Sequence, residues 1–183
     1  MNFINEAWKG QLLQRPSGWM GLECYMHSII NNLNVKTDLA LEFGIDHGYS
    51  LKVFAQLFKK CIGVDSFSGD PHIGHPQDPA FFQGILNTFK DYNVEIFKQD
   101  YRDYIKNDNK QYDLIHVDIV HFYKETFECT DWAMQHSNVV LVHDTITFPD
   151  MHKVCKDISS KHNVEYYNIP LCNGLGILHR KTS

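Results

Sequence analysis

The sequence predicts a doubly wound α/β domain on a mostly parallel sheet of seven strands, and three observations carry that expectation. From Asp38 onward, short apolar runs alternate with stretches of helical periodicity, the pattern of right-handed βαβ crossovers. The first five runs are apolar almost throughout, as strands buried on both faces of a sheet must be. The last two follow one another with no helix between them, which marks a terminal antiparallel pair. At 183 residues, 43% hydrophobic and 21% charged, the chain suits one domain over 1–183, with a helical extension over 1–37 and an α/β core over 38–183.

In chain order, Trp8, Leu12 and Leu13 suggest a short helix that stops at the Pro16-Ser17-Gly18 turn. Leu22, Tyr25, Met26, Ile29, Ile30 and Leu33 then recur at helical spacing. That stripe must bury against the core or against a second copy of the chain, so a homodimer is a reasonable expectation. The strand runs are 39–43, 61–64, 94–97, 114–117 and 139–142, followed by the pair 164–167 and 176–178. Helical patterns fill the gaps: Leu51, Phe54, Ala55 and Phe58, then Tyr123, Phe127 and Met134, then Met151, Val154, Cys155 and Ile158. Phe81, Phe82, Phe89, Tyr101 and Tyr104 read as core packing. The whole is a Rossmann-like, doubly wound, mostly parallel seven-stranded sheet with a terminal antiparallel pair and an N-terminal helical extension.

Composition closes off several functions. A net charge of −5 argues against affinity built on nucleic-acid phosphates. Mean hydropathy of −0.34 and the lack of a long apolar run exclude a membrane-spanning helix. The N-terminus carries Glu6 and no uninterrupted apolar stretch, so no signal peptide is read there. Five scattered cysteines, none spaced as CxxC, point to reduced thiols in a cytoplasmic protein.

Open parallel sheets bind ligands beyond the carboxyl ends of their strands. The first strand ends in Glu42-Phe43-Gly44-Ile45-Asp46-His47-Gly48-Tyr49-Ser50, where Gly44 permits a sharp turn and Gly48 a close backbone approach. The second ends in Val64-Asp65-Ser66, and a carboxylate at that tip holds ribose hydroxyls. A dinucleotide would ask for glycine where Asp46 stands, and its phosphates would meet a negative charge. A cationic nucleoside without phosphate suits these acids better, and S-adenosylmethionine has that description. The third strand leads into Gln99-Asp100-Tyr101, a place for adenine or simply for a helix N-cap at Asp100.

The fourth and fifth strands end in Asp118 and in His143-Asp144-Thr145. If those strands are neighbours, Asp118 and Asp144 emerge about 5 Å apart. Two carboxylates that close need a shared proton or a cation, and Mg²⁺ or Mn²⁺ fits oxygen ligands. His121, three residues past Asp118, can take the proton from a substrate hydroxyl while the metal lowers that hydroxyl's pKa. His143 is either a third ligand or a residue that orients one.

Glu42-x-Gly44-x-x-x-Gly48-x-Ser50 with Asp65 resembles the first two motifs of class I S-adenosylmethionine-dependent methyltransferases. The segment from Gly63 to Gly74 resembles the GxDxWxGDxHxG stretch of a small glycan and natural-product O-methyltransferase branch, methyltransferase-24-like. Asp118-x-x-His121-x-Tyr123, Glu128-x-x-x-Trp132, His143-Asp144-Thr145 and Asn173-Gly174-Leu175-Gly176-Ile177 are similar to its remaining elements. An Asp-x-x-His with paired metal positions is also similar to macrolide-sugar O-methyltransferases. The resemblance implies that Glu42, Gly44, Gly48, Ser50, Asp65, Ser66, Asp100 and Tyr101 bind the cofactor. It further implies that Asp118, Asp144 and His143 bind a divalent metal, with His121 and Asp118 catalytic. The expected acceptor is a sugar or another small hydroxylated molecule. Phe67, Ile119 and Ser137-Asn138 depart from the pattern. Two other readings stay open here: a silent cofactor-binding module, and a metal-dependent hydrolase using Asp118, His121, His143 and Asp144. The segment 67–79, rich in Gly, Pro and His, is a substrate lid or an irregular surface loop.

Overall fold

The computed structural model describes residues 18–19, 21–69, 74 and 77–181. The short helix expected around Trp8 and Leu12, and residues 70–73 and 75–76 of the 67–79 loop, lie outside the described residues. The elements run α1 (Leu22–Asn32), β1 (Leu39–Phe43), α2 (Tyr49–Leu57), β2 (Lys60–Asp65), α3 (Pro79–Phe89), β3 (Val94–Lys98) and α4 (Tyr101–Ile105). They continue β4 (Leu114–Val117), α5 (Tyr123–His136), β5 (Val139–His143), α6 (Pro149–His162), β6 (Glu165–Ile169) and β7 (Leu175–His179). One seven-stranded sheet has the order β3-β2-β1-β4-β5-β7-β6. The β1–β2, β2–β3, β1–β4 and β4–β5 pairs are parallel, and β7 runs antiparallel between β5 and β6. All seven strands fall where the apolar runs put them, with the expected terminal pair.

Alternation along the strands splits the core into two layers. Leu51, Phe54 and Phe89 of α2 and α3 pack with Leu22, Met26 and Ile29 of α1 on one face of the sheet. Phe43, Ile115 and Val142 point to the opposite face, onto Tyr104, Met134 and Ile158 of α4, α5 and α6. The α1 stripe is therefore satisfied within the chain. Burying Leu22, Met26 and Ile29 stabilises α1 by about 1.5–3 kcal/mol per side chain. That packing fixes the turn just before it, including Trp19, over the strand ends.

The strand order reverses between β2-β1 and β4, so the crevice opens above β1, β2 and β4. Gly44 makes the turn out of β1 at φ +85°, and an added Cβ there would stand 1.8 Å from the Asp118 carbonyl oxygen. Asp46 and Asp144 also take left-handed backbone, at φ +44° and +58°. Non-glycine residues held in that region are strained, and such strain gathers at functional sites. Among the described residues, no helix is long and apolar enough to cross a membrane.

Candidate active site

A cavity of about 560 Å³ occupies this crevice. One end is walled by the β1–α2 turn, the tip of β2 and the start of α4; the other by the tips of β4 and β5 with Trp19 and Asn173.

At the first end, Asp65 organises the turn. Its Oδ2 accepts from the backbone amides of Ile45 (2.7 Å) and Asp46 (3.1 Å), and its Oδ1 accepts from Phe67 (2.8 Å). Burial pushes its pKa up, against three amide bonds that favour the charge. A carboxylate offers about four acceptor directions, so three amides leave room for a ribose hydroxyl. Ser66, Asp100 and Tyr101 share this wall. Asp100 does cap α4, accepting from the Arg102 amide at 2.8 Å, and still faces the cavity. The Tyr101 hydroxyl donates to Glu128 of α5 at 2.9 Å, which holds its ring in the wall. Gln77 joins the two ends of the 67–79 loop to the turn: its Oε1 accepts from the Gly69 amide and its Nε2 donates to Asp46. These groups fit a nucleoside with free hydroxyls.

Glu42 and Ser50 are placed differently from the sequence expectation. Both are buried behind the turn rather than in the cavity wall. Ser50 Oγ donates to Glu42 Oε1, and the same oxygen lies 2.7 Å from His116 Nδ1. The register explains the pairing, because Glu42 on β1 stands directly beside His116 on β4. Burial raises the Glu42 pKa even against those two partners. Gly44 lines the cavity, whereas Gly48, at φ +79°, faces Phe89 and caps α2.

At the other end, Asp118, His121, His143 and Asp144 bring donor atoms within 4.8 Å of one another. His143 Nδ1 lies 3.1 Å from Asp118 Oδ1 and 3.4 Å from Asp144 Oδ2. His121 Nε2 lies 2.9 Å from Asp144 Oδ2 and 3.5 Å from Asp118 Oδ1. His143 Nε2 is 2.8 Å from the Cys172 carbonyl, which can only accept, so Nε2 carries the hydrogen. Nδ1 then faces a carboxylate with a lone pair unless a proton or a cation lies between them. Asp144 Oδ1 is buried with no hydrogen-bond partner among the described residues. Octahedral oxygen and nitrogen ligands about 2.1 Å from Mg²⁺ stand about 3 Å apart at adjacent positions, close to the spacings found here. The donor set fits a divalent cation on Asp118, Asp144 and His143.

Without a cation the histidines carry the balancing charge. For His121, burial disfavours charge, but Asp118 and Asp144 outweigh it and raise the pKa to about 9. For His143 burial acts the same way and Asp118 again wins, raising its pKa. Asp118 is held well below the usual carboxylate range, its burial overcome by His143 and His121. His121 stacks flat on Phe148 at 4.4 Å, which fixes its ring plane.

Trp19 and Asn173 are site residues that the sequence reading missed. Trp19 Nε1 donates to Asp118 Oδ2 at 3.0 Å, and its ring stacks on His143 at 3.7 Å. The contact spans 99 residues, so no local spacing announces it.

A family profile described as a methyltransferase domain matches residues 41–145, more than half the chain. The chain therefore belongs to the methyltransferase-domain family, and is an S-adenosylmethionine-dependent methyltransferase; the hydrolase reading is set aside. No curated protein matches it by sequence. Among solved structures it is similar to the methyltransferase PaMTH1 of Podospora anserina with S-adenosylhomocysteine bound, at 12% identity and TM-score 0.67, covering 88% of this chain and 78% of that one. It is similar to CalS10, a SAM-bound amino pentose methyltransferase of Micromonospora echinaspora, at 10% identity and TM-score 0.66, over 96% and 95% of the two chains. It is also similar to CalS11, a TDP-rhamnose 3′-O-methyltransferase, at 15% identity and TM-score 0.63, over 89% and 80%. At such identities these likenesses speak for the fold.

Proposed function

We propose that the chain methylates a hydroxyl of a small, neutral, sugar-like acceptor, with His121 as general base and a divalent cation on Asp118, Asp144 and His143. The observation that carries this reading is the Asp118–His121–His143–Asp144 cluster at the strand tips, sharing one cavity with the Asp65 wall. Bound S-adenosylmethionine would supply an electrophilic methyl group, and a divalent cation would supply the positive charge that acidifies the acceptor hydroxyl.

The remaining chemistry belongs to the protein's own side chains. Asp65, Ser66, Asp100 and Tyr101 would hold the nucleoside, with the β1–α2 turn set by Gly44. His121 would accept the hydroxyl proton at Nε2. In the metal-free protein that nitrogen is protonated at neutral pH, because both aspartates pull on it. Once a cation takes up those two carboxylate charges the pull weakens, and a neutral imidazole becomes the resting form. Metal binding and base function are thus coupled through the same pair of acids.

Charge also narrows the acceptor. The described wall carries Asp46, Asp65, Asp100, Asp118 and Asp144 against Arg102. Arg102 is already engaged by Asp100, Glu125 and Glu128, away from the β4–β5 tips. Among the described residues no lysine or arginine stands beside the cluster, which favours a neutral polyol over a nucleotide-linked sugar.

The test is transfer of a radiolabelled methyl group to a panel of neutral glycosides and matched nucleotide sugars, with chelator and with Mg²⁺ restored. The expected result is transfer to neutral hydroxyls that chelator strongly lowers and Mg²⁺ restores. Transfer confined to nucleotide sugars would overturn the acceptor assignment, and transfer indifferent to chelator would overturn the metal assignment.

A further inference from the structure

We propose that Trp19 is a positioning residue of the active site, fixing Asp118 so that a single carboxylate oxygen is presented to the cation site. The inference rests on the metal reading above and goes beyond it, because it assigns part of the centre to the N-terminal extension, outside the matched methyltransferase segment 41–145.

The geometry divides the two oxygens of Asp118 cleanly. Oδ2 accepts the indole N–H of Trp19 at 3.0 Å. Oδ1 is the oxygen that faces His143 Nδ1 at 3.1 Å and His121 Nε2 at 3.5 Å. An indole N–H only donates, so it ties Oδ2 without competing for protons or for a cation. Left untied, the carboxylate could rotate and chelate through both oxygens, which would change the coordination number and the distance to His121.

The same side chain also orients His143. Its ring stacks on the imidazole at 3.7 Å with 26° between planes, while the Cys172 carbonyl holds Nε2. These two contacts aim Nδ1 at the cluster. Partners that orient a metal ligand in this way matter nearly as much as the ligand. Trp19 is itself immobile: it is 5% exposed, packs edge-on against His116 at 4.8 Å, and its carbonyl accepts the Leu22 amide at the start of α1. The buried α1 stripe therefore fixes the ligand Asp118 through one side chain.

Trp19→Phe keeps the stacked ring and deletes the donor. The readouts are Mn²⁺ affinity, from loss of the free-ion resonance on titration, and S-adenosylhomocysteine affinity by calorimetry. The expected result is Mn²⁺ binding weakened about tenfold or more, as for other ligand-orienting partners, with nucleoside affinity unchanged. Unchanged or tighter Mn²⁺ binding would overturn the inference and make Trp19 a filler or a competitor. A parallel loss of both affinities would also overturn it, as a packing effect. A wild-type protein that binds no Mn²⁺ would sink the metal reading itself, and this inference with it.

Discussion

His121→Gln is expected to lower methyl transfer by about 10²–10⁴-fold, the range for loss of a general base, while S-adenosylhomocysteine binding is retained. The variant keeps a side chain able to hydrogen-bond Asp144, so the cluster does not lose a partner along with its base. Two neighbours at the β4–β5 tips are poorly placed to replace it. Asp118 is held too acidic to keep a proton near neutral pH, and His143 is committed at both nitrogens. The pH profile adds an independent reading. His121 titrates at about 9 when its carboxylate neighbours are unshielded, so residual activity of chelated enzyme should rise with pH through that value. Added Mg²⁺ should move the rise to lower pH, and His121→Gln should remove it. Turnover within a few-fold of wild type, with the same profile, would exclude His121 as base.

Gly44→Ala is expected to abolish nucleoside binding and to lower the thermal midpoint by about 5–15 °C. The backbone there is left-handed, which costs an alanine roughly 1–2 kcal/mol. Crowding adds about 1–3 kcal/mol, because the new Cβ would lie 1.8 Å from the Asp118 carbonyl oxygen. For a chain of this length each kcal/mol moves the midpoint by about 2–4 °C. Neither strand can yield alone: the Gly44 amide donates to Val64 on β2, and the Asp118 amide donates to Phe43 on β1. Displacement would therefore spread to the Ile45 and Asp46 amides on Asp65 and to the Asp118 carboxylate together. Gly69→Ala is the control, since Gly69 is also left-handed but no atom of the described residues lies within 4 Å of an added Cβ. It should bear the conformational cost without loss of the site. Equal damage from both variants would show that the close approach of β1 to β4 is not what demands glycine.

The strands were legible because burial on both faces leaves short, almost purely apolar runs, and the turn glycines because their spacing follows the first of them. Asp118 and Asp144 were legible for the same reason: one stands immediately after such a run and the other one residue further on, where a parallel sheet must end. The burial of Glu42 behind the cavity wall was not legible, because an acid at the end of an apolar strand looks like a crevice residue. Its partner was in view as His116, the lone polar residue in the 114–117 run, but their pairing follows from the β1–β4 register rather than from either local sequence. Trp19 was invisible for a stronger reason. It lies just after the Pro16-Ser17-Gly18 turn and outside every motif, and its hydrogen bond to Asp118 exists only once α1 has packed on the sheet. Asn173 was singled out only as part of the last-strand motif; the β6–β7 turn brings it to the cavity.

The most direct test of the whole account is the thermal midpoint of the wild-type protein with S-adenosylhomocysteine, with Mg²⁺, and with both. A ligand at about a hundred times its dissociation constant stabilises by about 2.7 kcal/mol, which corresponds to about 5–10 °C here. The account predicts a rise of that order with the nucleoside and a further rise when Mg²⁺ is added. No rise with the nucleoside, alone or with Mg²⁺, would contradict it.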